Sequence, residues 1–171
     1  MVNEKKTKKS SNKNSFLLQF KAVYEKARKK YKLPDFEYMN REFEIEKICD
    51  HETEFLVREI RRIMVEKINY YTRLLEIFIN PSAGPIFVME MIKNIDVKNE
   101  KVISDLYKKL TDITIEVVGL DIEYDEKAEL TFIKKIISRW DKIKKELMQL
   151  YSLIKEANKD SEKKDKKSYF G

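Results

Sequence analysis

Cys49-Asp50-His51-Glu52 gathers the rarest reactive side chains of this 171-residue chain into four consecutive positions, its one cysteine and its one histidine beside two carboxylates. A thiol and an imidazole can serve as nucleophile and base. That chemistry also needs a base held in place by the fold and a donor for the developing oxyanion, which four neighbouring residues do not supply. The run therefore reads as a polar helix entry with a partly buried cysteine. One Cys and one His also exclude a disulfide framework and a Cys/His zinc site built from one chain, and point to a reducing, cytoplasmic compartment.

Asp121, Glu123, Asp125 and Glu126 form a second cluster, with carboxylates at alternate positions as in some Ca²⁺ or Mg²⁺ loops. A calcium loop starting at Asp121 needs Gly at 126 and Glu at 132, where the chain has Glu126 and Phe132. Acids ahead of a helix are explained by its dipole, without a metal. Arg58, Arg61, Arg62 and Arg73 share one predicted helix and could grip phosphate. Glu54, Glu59 and Glu66 lie among them at ion-pairing distances, so a solvated, self-neutralised face is the preferred reading. Glycine occurs only at 84, 119 and 171. No phosphate loop, dinucleotide fingerprint, HExxH, CxxC or GxSxG is present. No catalytic, cofactor or metal site is expected, and the chain reads as non-enzymatic.

The clearest functional signal is charge. The total is +6, but residues 1–32 alone carry +9 and residues 155–171 carry +2, which leaves −5 for residues 33–154. The basic residues at the N-terminal end are Lys5, Lys6, Lys8, Lys9, Lys13, Lys21, Lys26, Arg28, Lys29, Lys30 and Lys32, with Phe16, Phe20, Tyr24 and Tyr31 among them. Lysines attract phosphates through counterion release and aromatic rings can stack on unpaired bases, so this set is the candidate nucleic-acid surface. Against it, aromatics at helical spacing are ordinary core residues, and lysine-rich ends can simply solubilise. A basic amphipathic helix could also rest on an anionic membrane surface.

These residues must be positioned by helices. Hydrophobic residues make up 42% and charged residues 39%, with few turn-formers, a composition that favours long helices over sheet. Residues 1–13 are almost free of apolar side chains and are expected to be a disordered basic arm. A helix capped by Asn14 or Ser15 then carries Phe16, Phe20, Tyr24, Ala27 and Tyr31 and ends at Leu33-Pro34. Asp35 caps a short helix to about Phe43, Ile45–Glu52 reads as a connection, and Thr53 caps the helix that bears Leu56, Ile60, Met64, Leu75 and Phe78. Asn80–Pro85 turns the chain. Ile86–Ile95 reads as a short buried helix. Asp96 or Asn99 opens a helix closed by Gly119 in a left-handed turn, and Asp125 caps the last and longest helix, to about Ala157.

Residues 158–171 are charged all round and are expected to be a disordered tail. The last helix, at about 1.5 Å per residue, is longer than a compact domain of this size needs, so part of it must project or pair. The expected fold is all-α: an irregular bundle of three long and two or three short helices, forming one domain over 14–157. No apolar run is long enough to span a membrane.

The long-helix segment Glu54-Phe-Leu-Val-Arg-Glu-Ile-Arg-Arg-Ile-Met-Val-Glu-Lys-Ile, with Asn40-Arg-Glu-Phe-Glu-Ile before it and Asp105-Leu-Tyr-Lys-Lys-Leu and Trp140 after it, resembles small uncharacterised all-helical proteins of archaea. The resemblance covers roughly residues 33 to 150, implies the same helical fold and brings no function with it. The long helix is also similar to the helical half of archaeal GINS replication subunits, whose small β domain has no counterpart here. From the residues themselves, the leading expectation is an interaction protein that docks a protein partner or a second copy through apolar helix faces. The alternative is an RNA- or DNA-associated factor using the basic arm and first helix.

Overall fold

The computed structural model describes the backbone of residues 3–50, 53–81 and 97–168, together with Met89, Ile92 and Ile95. Side chains are described over 15–49, 53–81 and 99–159 and at the same three positions. His51, Glu52, Asp96 and most of the expected Ile86–Ile95 helix lie outside these residues. Among the described residues there are five α-helices, one 3-10 helix and no strand, the all-α class expected. The helices are α1 (Asn3–Tyr31), α2 (Phe36–Phe43), a 3-10 helix (Ile45–Asp50), α3 (Leu56–Ile79), α4 (Val97–Ile122) and α5 (Glu126–Ser168). They divide into two compact units. Both α3 and α5 contribute to each unit.

In the first unit, residues 1–67 and 124–134, the inner face of α1 is set by its spacing. Phe20, Tyr24 and Ala27 fall on one side of the helix and are buried. The rings of Phe20 and Tyr24 meet Phe36 of α2 edge to face at 6.0 and 5.7 Å. The α1 helix stops at Tyr31, the last residue of its apolar series. Lys32 takes a left-handed conformation (φ 56°) and the Leu33 N–H donates to Arg28 O at 3.2 Å, closing a Schellman turn without glycine. The Tyr24 hydroxyl then ties down the turn by donating to Pro34 O at 2.9 Å.

Asp35 caps α2 as expected, its carboxylate accepting from Tyr38 N–H at 2.7 Å. Glu44 ends α2 in a second non-glycine left-handed turn (φ 61°), its N–H on Asn40 O. The stretch read as a connection is a packed 3-10 helix. Ile45 and Ile48, eclipsed by the three-residue repeat, are both sealed.

Three helix ends differ from expectation. Asn14 and Ser15 lie inside α1, whose backbone is helical from Asn3. Of the charged ends, read as an arm over 1–13 and a tail over 158–171, residues 3–13 and 158–168 continue the backbones of α1 and α5. Their side chains fall almost entirely outside the described residues. At α3, Phe55 occupies the cap position, since Glu59 N–H donates to Phe55 O. Thr53 stands two residues earlier, its hydroxyl accepting from Phe55 N–H at 3.0 Å.

The second unit holds residues 68–123 and 135–171. Its core is one row from each helix: Ile68, Leu75 and Phe78 of α3; Ile103, Leu106, Leu110, Ile113 and Val117 of α4; Ile136, Trp140, Ile143 and Leu150 of α5. Polar links flank the rows. Thr114 donates to Asn69 Oδ1 at 3.0 Å, Lys109 reaches both oxygens of Glu146 at 2.7 and 2.5 Å, and Lys135 pairs with Glu116. Gly119 does not end α4. Its φ is not positive, and the helix runs past it to Ile122 because the 3.6-residue repeat of Leu110, Ile113 and Val117 carries on.

Candidate functional site

The basic set divides by partner. The side chains of Lys5, Lys6, Lys8, Lys9 and Lys13 lie outside the described residues. Lys21 is spent on Glu37 at 2.8 Å and lies over the Phe36 ring, while Arg28 is paired with Glu25 at 2.9 Å, which raises the guanidinium pKa further. Lys30 donates to the Tyr31 hydroxyl at 2.5 Å and stands 3.6 Å from Glu126. Those contacts hold its ammonium above the ordinary lysine value, the bond to Tyr31 contributing most. Lys26, Lys29 and Lys32 are exposed and make no ion pair among the described residues.

The aromatics divide in the same way. Phe20 and Tyr24 belong to the core, Tyr31 donates to Glu126, and only Phe16, 55% exposed, presents a free face. Burial pushes the Tyr24 phenol far above its ordinary value of 10, Glu25 adding to the effect. A base-stacking platform of several rings does not form on α1. A small groove of about 210 Å³ lies beside it, with Lys26, Lys30, Tyr31, Glu54 and Tyr124 in its wall.

The arginine series of α3 is not one solvated face. Arg61 is 1% exposed and makes a two-point ion pair with Glu129 of α5, which is fully buried. Arg58 Nε stands 3.5 Å from the same carboxylate and makes no hydrogen bond there. Its guanidinium lies 4.3 Å from the Tyr124 ring centre, and Tyr124 in turn meets Phe55 edge to face at 5.1 Å. Desolvation raises the Tyr124 phenol pKa. Only Arg62 follows the expected pattern, pairing with Glu59 three residues back at 2.9 Å. The ion-pair reading is right in kind, but its main partner is Glu129, 68 residues away in sequence.

Cys49 is half-buried and its thiol donates to Glu46 O at 2.6 Å, a local turn contact. Asp125 caps α5 through Lys127 N–H at 2.8 Å and Glu126 serves Tyr31 and Lys30. No group of three or more His, Cys, Asp or Glu among the described residues is placed to hold a metal ion.

A groove of about 960 Å³ lies in the second unit, where the start of α4 (Asn99, Val102) faces the later turns of α5. Met148 and Leu153 give its floor an apolar character, and Lys144, Lys145, Asp141 and Glu156 stand at its edges. Among the described residues no helix is long and apolar enough to cross a membrane. No family model, curated protein or solved structure matches the chain.

Proposed function

We propose that this chain is a non-enzymatic helical interaction protein that docks a protein partner, or a copy of itself, through apolar helix faces. The observation that carries this reading is the open groove on α4 and α5. Its floor residue Met148 is 62% exposed, and its apolar floor is rimmed by charges of both signs. An open groove with an apolar floor suits the apolar side of an amphipathic helix, and a flexible methionine adapts to the side chains it meets.

The test is in-cell photo-crosslinking from a benzophenone residue at Gln149, at the groove edge, in the full chain. Discrete protein adducts that vanish with Met148→Asp and Leu153→Asp, while helicity is retained, are expected. Adducts unaffected by both substitutions overturn the groove as the docking site.

A second reading has its own observation: Lys26, Lys29 and Lys32 stand exposed without ion pairs along a chain end of net charge +9. On this reading the N-terminal end grips RNA or DNA phosphates. Fluorescence anisotropy of structured RNA and duplex DNA measures it, with the full chain and a Lys26→Gln/Lys29→Gln/Lys32→Gln variant. Log affinity should fall with log salt, by roughly 0.7 to 0.9 per phosphate neutralised, and the variant should have the shallower slope. Negligible binding at low salt by both proteins retires this reading.

A further inference from the structure

The inner face of α1 is spent on the core of the first unit, and one shoulder of the helix is not. Phe16 and Val23, seven residues and so about two turns apart on that shoulder, are 55% and 52% exposed, while Phe20, Tyr24 and Ala27 are buried. Val23 borders the small groove of about 210 Å³ whose wall also holds Leu56 and Tyr124. The Tyr124 ring meets that of Phe55, and these two are 37% and 47% exposed. The helix α1 and the entries to α3 and α5 thus bring four large apolar side chains to one side of the unit. Apolar residues scattered singly on a surface need no explanation, but a patch drawn from three elements does.

The charges around the patch say what covers it. Residues 1–32 hold eleven Lys and Arg against two acids, Glu4 and Glu25, and Glu25 is spent on Arg28. Lys26, in the groove wall, and Lys29 and Lys32 after it are exposed and make no ion pair among the described residues. Three carboxylates stand near the patch. Glu126 is engaged by Tyr31 and Lys30, Asp125 caps α5, and Glu54 is exposed in the groove wall without an ion pair. The side bordered by α1 is therefore left positive.

A nucleic-acid backbone would use the ammonium groups and leave the four apolar side chains in water. A neutral apolar partner would use those side chains and leave the lysines idle. A membrane surface with anionic headgroups takes both. Phe and Val side chains enter the boundary between headgroups and acyl chains, a tyrosine ring sits at headgroup level, and lysines are drawn to the negative surface potential. A modest apolar insertion is marginal alone, and a polybasic patch beside it supplies the second signal that stable anchoring needs. Among the described residues no helix is long and apolar enough to cross the bilayer, so the contact is one of resting on it.

We propose that the first unit rests on anionic membrane surfaces through Phe16, Val23, Phe55 and Tyr124, with Lys26, Lys29 and Lys32 toward the lipid headgroups. This surface and its partner are separate from the α5 groove, and the two readings stand or fall independently. Flotation of the full chain with phosphatidylcholine vesicles, with and without phosphatidylserine, tests the proposal over a range of salt. Binding to the phosphatidylserine vesicles that weakens with salt is expected, with little binding to phosphatidylcholine alone. Phe16→Ser combined with Val23→Ser, both at exposed positions, should weaken it by at least about tenfold with helicity and melting temperature unchanged. Lys26→Gln/Lys29→Gln/Lys32→Gln should weaken it by a similar factor and remove the preference for phosphatidylserine. Ile115→Ser, which alters an exposed isoleucine of the second unit, should leave binding unchanged.

No binding to phosphatidylserine vesicles overturns the proposal, and so does a loss confined to one of the two multiple variants, since both signals are required. An equal loss with Ile115→Ser would show general adhesion of exposed apolar side chains and overturn it too. Duplex RNA or DNA bound through the three lysines by a chain that ignores vesicles would assign them to nucleic acid instead.

Discussion

Arg61 of α3 and Glu129 of α5 are joined inside the first unit by two hydrogen bonds, Nε to Oε2 at 2.8 Å and Nη2 to Oε1 at 3.2 Å, with both side chains almost sealed from water. A buried ion pair of this geometry costs desolvation on both sides and recovers it only while both partners are present. Arg58, 3.5 Å from the same carboxylate, adds a second cation to it.

Glu129→Ala therefore removes the buried carboxylate that faces two cations and should destabilise the chain by about 3–5 kcal/mol. Replacing the Arg61–Glu129 pair by Met and Leu together should cost far less than the single change, because no uncompensated charge remains at Arg61. Urea denaturation of the single and double variants measures the difference. Equal losses would show that packing, rather than the stranded charge, sets the cost.

The sequence was informative where periodicity decides. The α3, α4 and α5 rows, the Asp35 and Asp125 caps and the all-α class follow from three- and four-residue spacing and from side chains that accept from N–H groups. The Arg61–Glu129 pair is not legible in the sequence because helical spacing marks only partners one turn away, and tertiary packing chose one 68 residues distant. A signal existed: Glu129 sits three residues before Phe132 and four before Ile133, in the core register of α5. The three-residue spacing of Ile45 and Ile48 likewise marks the 3-10 helix. The left-handed turns at Lys32 and Glu44 carry no residue signal, since side chains that disfavour that conformation occupy both.

Lys32 offers a gain in stability. A left-handed conformation costs an L-residue roughly 1 kcal/mol that glycine does not incur, and Lys32 is exposed without an ion pair among the described residues. Lys32→Gly should raise stability by about 0.5–1 kcal/mol and the melting temperature with it. An unchanged or lower melting temperature would mean that the turn's geometry is not what limits it.

Tyr24 makes stability depend on alkaline pH. Its phenol is fully buried and donates to Pro34 O, and burial raises its pKa far above the unfolded value of 10. The unfolded chain therefore loses this proton first, and the folded chain holds it. The contribution is complete below about pH 10 and falls as pH rises beyond it, with a slope approaching 1.4 kcal/mol per pH unit. Tyr24→Phe should cost about 1 kcal/mol at neutral pH through the orphaned carbonyl and should flatten the fall above pH 10. Urea midpoints measured between pH 8 and pH 11 would show it, and an equally steep fall in the Phe variant would assign the effect to other groups.

Ile113 and Ile115 stand two residues apart on α4 and face opposite ways, at 4% and 63% exposed. Burial, not residue type, should therefore set the cost of truncating each. Ile113→Ala removes packed methyl groups and leaves a cavity beside the other rows of the second unit, a loss of about 2–5 kcal/mol. Ile115→Ala removes side chain that faces solvent in a single copy and should change the stability of the monomer by no more than about 0.5 kcal/mol. The comparison belongs at low protein concentration, where self-association adds nothing to the folded state. A large loss for Ile115→Ala at the lowest concentration would instead place that residue in the core of the single chain.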